Sequence, residues 1–423
     1  MEKLKKFFLN YKTQFNNFIS LVILQGVNYI LPLITFPYLF KTLGVNNFGL
    51  LSFSTAILFY FQIFIDFGFN LSGTRQVAIN KEDNLLINNI VSSIIYCKLF
   101  LSFLSFIILV ICIIFIDKLN QSPQLYLYSF LAVFLQSFLL NWFYQGIEKM
   151  KNLTIINVLT KLLSTVLIFV FVKNSNDIEK VPLFYSIGNF ISVIVSFYIM
   201  YQNFRVRLVK VELSSMFFYL KESFPLFISN LSVTLYTFTT TIILGFFSSD
   251  TIVGYYTLAE RIVAALKSII NPISQTLYPF LSIKAIKNKE EVLKFNYRFI
   301  KFGASIMFLI CFLVFIFSEY ILINLFGSNS IGALIALRLM IFIPILLIFD
   351  TVLATFSLLI FDLNKIYSLV VTIVGGLNLL IAIPLIYFFN STGAAVSMLI
   401  CELLITILLF FSCKKYNILP KIN

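Results

Sequence analysis

Twelve stretches of predominantly apolar residues, each of about 20 or more and so able to cross a bilayer as a helix, leave this 423-residue chain almost no room for a soluble domain. They cover residues 18 to 40, 48 to 68, 87 to 116, 124 to 145, 154 to 172, 181 to 201, 223 to 247, 252 to 281, 297 to 318, 333 to 359, 366 to 388 and 392 to 413. Only 12% of the residues are charged, about half the usage of soluble domains. The chain therefore reads as an all-α polytopic membrane protein with twelve transmembrane helices.

The net charge of +13 would suit a nucleic-acid partner, but the placement of the 31 basic residues argues against one. With a cytoplasmic N-terminus, the segments on that side carry 20 Lys and Arg, and the opposite loops carry only Lys41, Lys118, Lys173 and Lys180. That asymmetry is the positive-inside rule and puts both termini in the cytoplasm. The basic start MEKLKKFFLN runs into an apolar stretch without a small-residue cleavage site, as expected of a retained first helix.

The chain contains no histidine, which removes Ser-His-Asp triads, imidazole metal sites and histidine relays. Cys97, Cys112, Cys311, Cys401 and Cys413 fall in or beside the spans without metal-like spacing. No catalytic constellation, metal or cofactor is expected. No G-x-x-x-x-G-K-[ST] loop is present, so ATP is not an expected partner and an ion gradient would have to drive any active transport.

The spans divide into two sets of six. FGLLSFSTAI (Phe48 to Ile57) resembles VGYYTLAERI (Val253 to Ile262) at an offset of 205. Six spans per half keep corresponding helices in the same orientation, so the halves read as parallel repeats. The expected organisation is an N-lobe over residues 1–201, a basic cytoplasmic linker over 202–222 and a C-lobe over 223–423.

Polar residues recur at helical spacing in the first two spans of each half. Gln25, Asn28, Pro32 and Thr35 share a face, as do Ser52, Thr55, Gln62 and Asp66; in the second half the sets are Asn230, Thr234, Thr237, Thr241 and Glu260, Lys267, Asn271, Ser274, Tyr278. Hydrocarbon cannot satisfy such groups. They either line a water-accessible cavity between the lobes or bond across packed helices. Pro32, Pro37, Pro272 and Pro279 each remove a backbone donor and mark bent helices able to act as gates.

Seven cations fall inside spans. Lys98, Arg261 and Lys267 lie deep, whereas Lys161, Arg298, Lys301 and Arg338 lie nearer helix ends, where snorkelling to the interface is an alternative. An intramembrane charge is a functional candidate by default. The acidic counterparts are Glu260, Asp350, Glu402 and, near a boundary, Asp66. The positive excess favours an anionic substrate such as a phosphate or diphosphate, with Lys98, Arg261, Lys267, Gln25, Asn28, Asn230 and Asn271 as contacts. The four carboxylates are candidates for ion coupling, or for structural ion pairs.

The stretch LQGVNYILPLITFPYLFKTLGVNNFGLLSFSTA, followed by IDFGFNLSGTRQVAINK, resembles the N-terminal signature of bacterial O-antigen and polysaccharide-transport flippases (the Wzx type). Their superfamily also holds multidrug antiporters and flippases of lipid-linked peptidoglycan precursors. The resemblance implies a MATE-like pair of six-helix lobes around a central cavity. It also implies alternating-access movement of an undecaprenyl-diphosphate-linked glycan to the outer leaflet of the inner membrane, in O-antigen and lipopolysaccharide assembly. A proton or sodium gradient would drive it, and polysaccharide polymerase and chain-length machinery would be its partners. Arg75, in FNLSGTRQVA, is placed at the cytoplasmic mouth. The alternatives are a multidrug cation antiporter of the same fold and a membrane-embedded glycan polymerase.

Overall fold

A computed structural model describes residues 12–420; for residues 12–25, Asn28, Tyr29, Met150, Leu153 and Tyr236 it describes the backbone only. Every element among the described residues is helical. Leaving single turns aside, the helices are α1 (Lys12–Asp66), α2 (Phe69–Ile79), α3 (Asn84–Phe115), α4 (Pro123–Ser137), α5 (Asn141–Gly146), α6 (Met150–Phe171), α7 (Lys180–Phe204), α8 (Leu213–Thr237), α9 (Thr239–Phe247), α10 (Asp250–Ser268), α11 (Ile270–Lys287), α12 (Lys289–Ile316), α13 (Ser318–Phe326), α14 (Leu334–Met340), α15 (Ile343–Asp350) and α16 (Asn364–Lys415). A π-helical stretch, Thr351–Leu359, continues α15.

Among the described residues eight helical stretches are long and apolar enough to cross a membrane, or nine if the bent pair α8 and α9 is one span. The twelve apolar windows are distributed over these stretches as follows. Helices α1 and α16 each take in two of the apolar windows, on either side of backbone breaks at Gly44 (φ 76°, ψ 163°) and Asn390 (φ 50°, ψ −128°). The window 252–281 falls on α10 and α11 and is not among the eight, because Glu260, Arg261 and Lys267 dilute its hydropathy. Gly44 sits in a backbone region that side chains disfavour, and no neighbouring atom lies where its Cβ would be. Gly44→Ala is therefore expected to cost about 1–3 kcal/mol through the backbone alone. The check is a lower unfolding temperature of the detergent-solubilised protein.

The chain folds as two compact units, one of Met1–Phe36 with Ile57–Leu231 and the other of Pro37–Ala56 with Ser232–Asn423. In the first, α3 shows the polarity of a membrane protein. Phe100, Phe103, Phe106, Ile107 and Phe115 are exposed, while Ser92, Ser93, Lys98, Ser102 and Ser105 are buried. Lipid solvates the apolar face, and the polar groups must find partners inside. Helices α6 and α7 follow the same logic with a seam of buried hydroxyls, in which Ser192 Oγ donates to Thr160 Oγ1 at 2.6 Å. Small hydroxylated residues let two helices approach closely and bond across the contact. The core of this unit packs Phe69 and Val77 of α2 against Ile90, Val91 and Ile94 of α3 and Trp142 to Tyr144 of α5. Segment 205–212 between α7 and α8 is irregular and tied back to α3, the Arg207 amide to Asn88 Oδ1 at 2.8 Å and the Val209 amide to Ser92 Oγ at 2.9 Å.

In the second unit, the segment 37–56 packs on α10 through two glycines. A Cβ added to Gly49 would overlap the Asp250 carbonyl oxygen, and one added to Gly254 would overlap that of Val45. Thr251 Oγ1 lies 3.3 Å from Asn46 Oδ1. Positions 45, 46 and 49 correspond to 250, 251 and 254 at the offset of 205 noted in the sequence. Each residue thus touches the counterpart of its own partner, as at an isologous, locally two-fold contact. Phe40 adds edge contacts to Phe48 at 5.3 Å and Phe326 at 5.8 Å. Deeper in the unit, Leu353 and Leu358 of the π-helical stretch pack with Val374, Cys401 and Leu409 of α16. Asn296 of α12 donates to the Phe356 carbonyl at 3.0 Å, satisfying a backbone group that a π-helical stretch leaves off the i−4 ladder.

Candidate functional site: paired charges within each unit

The deepest cation of the first unit is Lys98, 1% exposed in the middle of α3. Its Nζ lies 2.8 Å from Asp66 Oδ1 and donates to the Ser137 carbonyl at 2.6 Å. Asp66 closes α1 and Ser137 closes α4. The ammonium therefore meets both a carboxylate and the negative end of a helix, whose last carbonyls lack intrahelical donors. Ser102, one turn on, donates back to the Lys98 carbonyl at 2.6 Å.

The second unit contains a matching pair with a longer network. Lys267, near the end of α10, reaches Glu402 of α16 with Nζ–Oε1 2.5 Å; the side chains are 22% and 2% exposed. One turn along α16, Thr406 Oγ1 lies 2.7 Å from Asp350 Oδ1 and 3.0 Å from the Glu402 carbonyl. Asp350 ends α15, and its Oδ2 is buried without a partner among the described residues. Glu260 and Arg261 are half-buried neighbours on α10 whose charges act on each other, as do those of Glu260 and Lys267.

The remaining candidates are placed differently. Arg75 points outward from α2, and Lys161, Arg298, Lys301 and Arg338 are exposed on their helices. Arg338 keeps contacts, with Nε 3.1 Å from Ser318 Oγ and its guanidinium 5.4 Å from the Phe315 ring centroid. Asn230 on α8 and Asn271 on α11 are exposed, as are Pro272 and Pro279; Pro32 and Pro37 are half-buried in α1. The side chains of Gln25 and Asn28 lie outside the described residues. Each deep lysine is thus brought to a carboxylate inside its own unit, Asp66 or Glu402.

Two participants escaped the sequence reading. The Ser137 carbonyl is a backbone group with no sequence signal. Thr406 could have been found, because it sits four residues beyond Glu402 and so on the same helical face.

Residues 15–285 match the family described as polysaccharide biosynthesis protein. A protein of Escherichia coli K12 named for O-antigen transport is 33% identical over 274 residues, which are 64% of this chain and 66% of that one, just under two thirds of its length. A protein of Shigella dysenteriae with the same name is 28% identical over 293 residues, 69% of this chain and 73% of that one. Among solved structures, an inward-facing multidrug resistance MATE family transporter of the MOP superfamily superposes with a TM-score of 0.69 at 14% identity, over 92% of this chain and 98% of its own. The lipid II flippase MurJ, in an inward closed conformation, also gives 0.69, at 15% identity over 95% and 87% of the two chains. The all-helical fold is shared with these two transporters, and this is a multi-pass membrane protein. By the match to residues 15–285, well over half its length, the chain belongs to the polysaccharide biosynthesis protein family.

Proposed function

We propose that this protein translocates a lipid-linked oligosaccharide, an undecaprenyl-diphosphate-linked repeat unit, from the cytoplasmic to the outer leaflet of the bacterial inner membrane, with both termini in the cytoplasm. The observation that carries the reading is the family membership together with relatives named for O-antigen transport. The fold shared with the lipid II flippase supports it. Sugar hydroxyls and a diphosphate lose their hydration in hydrocarbon, so such a head group needs a protein path. In this reading translocation depends on the charges of Lys98 in the first unit and of Lys267 in the second, Arg75 acts at the cytoplasmic mouth, and a polysaccharide polymerase takes the product on the outer side.

The test uses a strain lacking this gene and an impermeant sugar-modifying reagent applied to spheroplasts. Completed repeat units are expected to stay inaccessible until the gene is restored. Repeat units that are fully accessible without the gene would sink the reading. The MATE-fold likeness supports a second reading, export of organic cations, under which deletion would raise drug sensitivity and leave the repeat units on the outer face.

A further inference from the structure

Helix α12 turns one side to its own unit and the other to its surroundings. Val292, Leu293, Asn296, Met307 and Cys311 are buried, and a Cβ added to Gly303 would lie 3.5 Å from Ile348 of α15. The opposite face holds Lys294, Arg298, Lys301, Ser305, Phe308 and Phe312. Their steps of three and four residues keep them in one stripe. Lys294 is half-buried and the other five are exposed. Beside the stripe Phe302 is 64% exposed and Leu309 57%. Of the eight spans among the described residues α12 is the least buried. So much exposed apolar surface is costly in water and indifferent in hydrocarbon, so this is a lipid-facing side.

Two cations nevertheless stand on it. Lys98 and Lys267 are matched inside the protein by Asp66 and Glu402, whereas Arg298 and Lys301 have no ion pair among the described residues. The acids of α12 are Glu290 and Glu291, a turn before Lys294, and Glu291 is taken by Lys284 at 2.6 Å. The counter-charge of Arg298 and Lys301 must therefore come from outside the chain. Their depth says from where. At 1.5 Å per residue, Lys301 and Arg298 lie about 23 and 27 Å from the far end of α12, Ile316. Set against a hydrocarbon core of about 30 Å, both fall within about 8 Å of its near edge. Long side chains extended outward from there meet the phosphate layer.

We propose that Arg298 and Lys301, with Lys294 beyond them, hold the phosphodiester of an anionic phospholipid whose acyl chain lies along Phe308 and Phe312. The guanidinium matches two phosphate oxygens and the ammonium adds a point charge. Ser305 Oγ donates to the Lys301 carbonyl at 2.6 Å, so the hydroxyl between the cations and the rings has spent its proton and leaves the chain an apolar bed. That bed is flat, because the two rings stack with centroids 6.0 Å apart and planes 12° from parallel. A glycan head group would find no polar partner on the flanks, which are Phe302 and Leu309, and a zwitterionic lipid would bring its own cation against these. The lipid belongs to the leaflet at the start of α12, which is the cytoplasmic one in the topology proposed above; that assignment rests on the translocation reading, whereas the lipid site itself does not.

The experiment titrates the full chain in detergent with phosphatidylglycerol and reads retained lipid by native mass spectrometry. Saturable binding is expected, with phosphatidylcholine held far more weakly. Arg298→Gln/Lys301→Gln is expected to weaken phosphatidylglycerol binding by about thirtyfold, roughly fivefold for each cation near an anionic surface. Lys414→Gln/Lys415→Gln, which removes two exposed cations from the end of α16, is expected to leave it unchanged. Phosphatidylglycerol should also raise the unfolding temperature of the wild type and of the α16 variant, but not of the α12 variant, since a ligand stabilises only the fold that binds it. Equal losses in the two double variants, or equal binding of the two lipids, would reduce the site to general positive charge and overturn the proposal. So would displacement by glycerophosphoglycerol, which has the phosphate without the chains, or by undecaprenyl diphosphate at equal or lower concentration, which would give the site to the carrier. Failure of the wild-type gene to restore polysaccharide would instead overturn the translocation reading and leave the titration standing.

Discussion

Lys98→Ala is expected to destabilise the protein by about 3–5 kcal/mol, the range for removing one partner of a buried ion pair. Two groups lose their donor at once, Asp66 Oδ1 and the Ser137 carbonyl. Partial exposure of the Asp66 side chain, 17%, places the effect toward the lower end. The double variant Lys98→Met/Asp66→Asn removes both charges while keeping volume, and replacing a whole buried pair is often nearly neutral. It is expected to regain most of the unfolding temperature measured in detergent. Surface polysaccharide, measured in a strain carrying only the variant, is expected to stay low, because the lysine charge is absent. Full recovery of polysaccharide by the double variant would make the pair purely structural.

The contact between residues 37–56 and α10 predicts an effect of similar size with a distinctive pattern. Gly49→Ala gains about 1 kcal/mol of helix propensity, yet its Cβ would overlap the Asp250 carbonyl oxygen and lie 2.6 Å from the Gly254 nitrogen. Backbone atoms cannot move aside as a flexible side chain can. A net loss of about 2–3 kcal/mol is expected, at the upper end of overpacking costs. Gly254→Ala should behave alike, since its Cβ would meet the Val45 carbonyl through the symmetric contact. The two losses are not expected to add, because once either alanine has prised the helices apart the other finds room. A cycle of four unfolding temperatures measures this: strict additivity would mean that the two glycines do not share one contact.

Much of the fold was legible because hydrocarbon is an unforgiving solvent. An apolar run of about 20 residues can satisfy its backbone there only as a helix, so the windows follow directly from the sequence. Their junctions were less visible. The two windows on either side of Gly44 are two helices that meet at a single residue with positive φ, and the same holds at Asn390. The offset of 205 was a weak textual similarity, whereas Val45, Asn46 and Gly49 meeting Asp250, Thr251 and Gly254 give it a physical meaning.

The candidate site was legible by residue type but not by pairing. That charges buried in an apolar chain need compensation is a property of the residues, and it singled out Lys98, Lys267, Asp66, Asp350 and Glu402. Which carboxylate compensates which lysine depends on helix contacts. Lys98 and Asp66 are 32 positions apart, and Lys267 and Glu402 are 135 apart. No periodicity reaches across such separations. Nor does the sequence state that the end of α4 turns its Ser137 carbonyl toward an ammonium, or that Thr406 stands between two acceptors. The sequence by itself determined the solvent, the helices and the charges that needed partners, because these follow from transfer energies of individual residues. The tertiary structure alone decided the partners, because a charge in a low-dielectric interior is matched by whatever packing brings within about 3 Å.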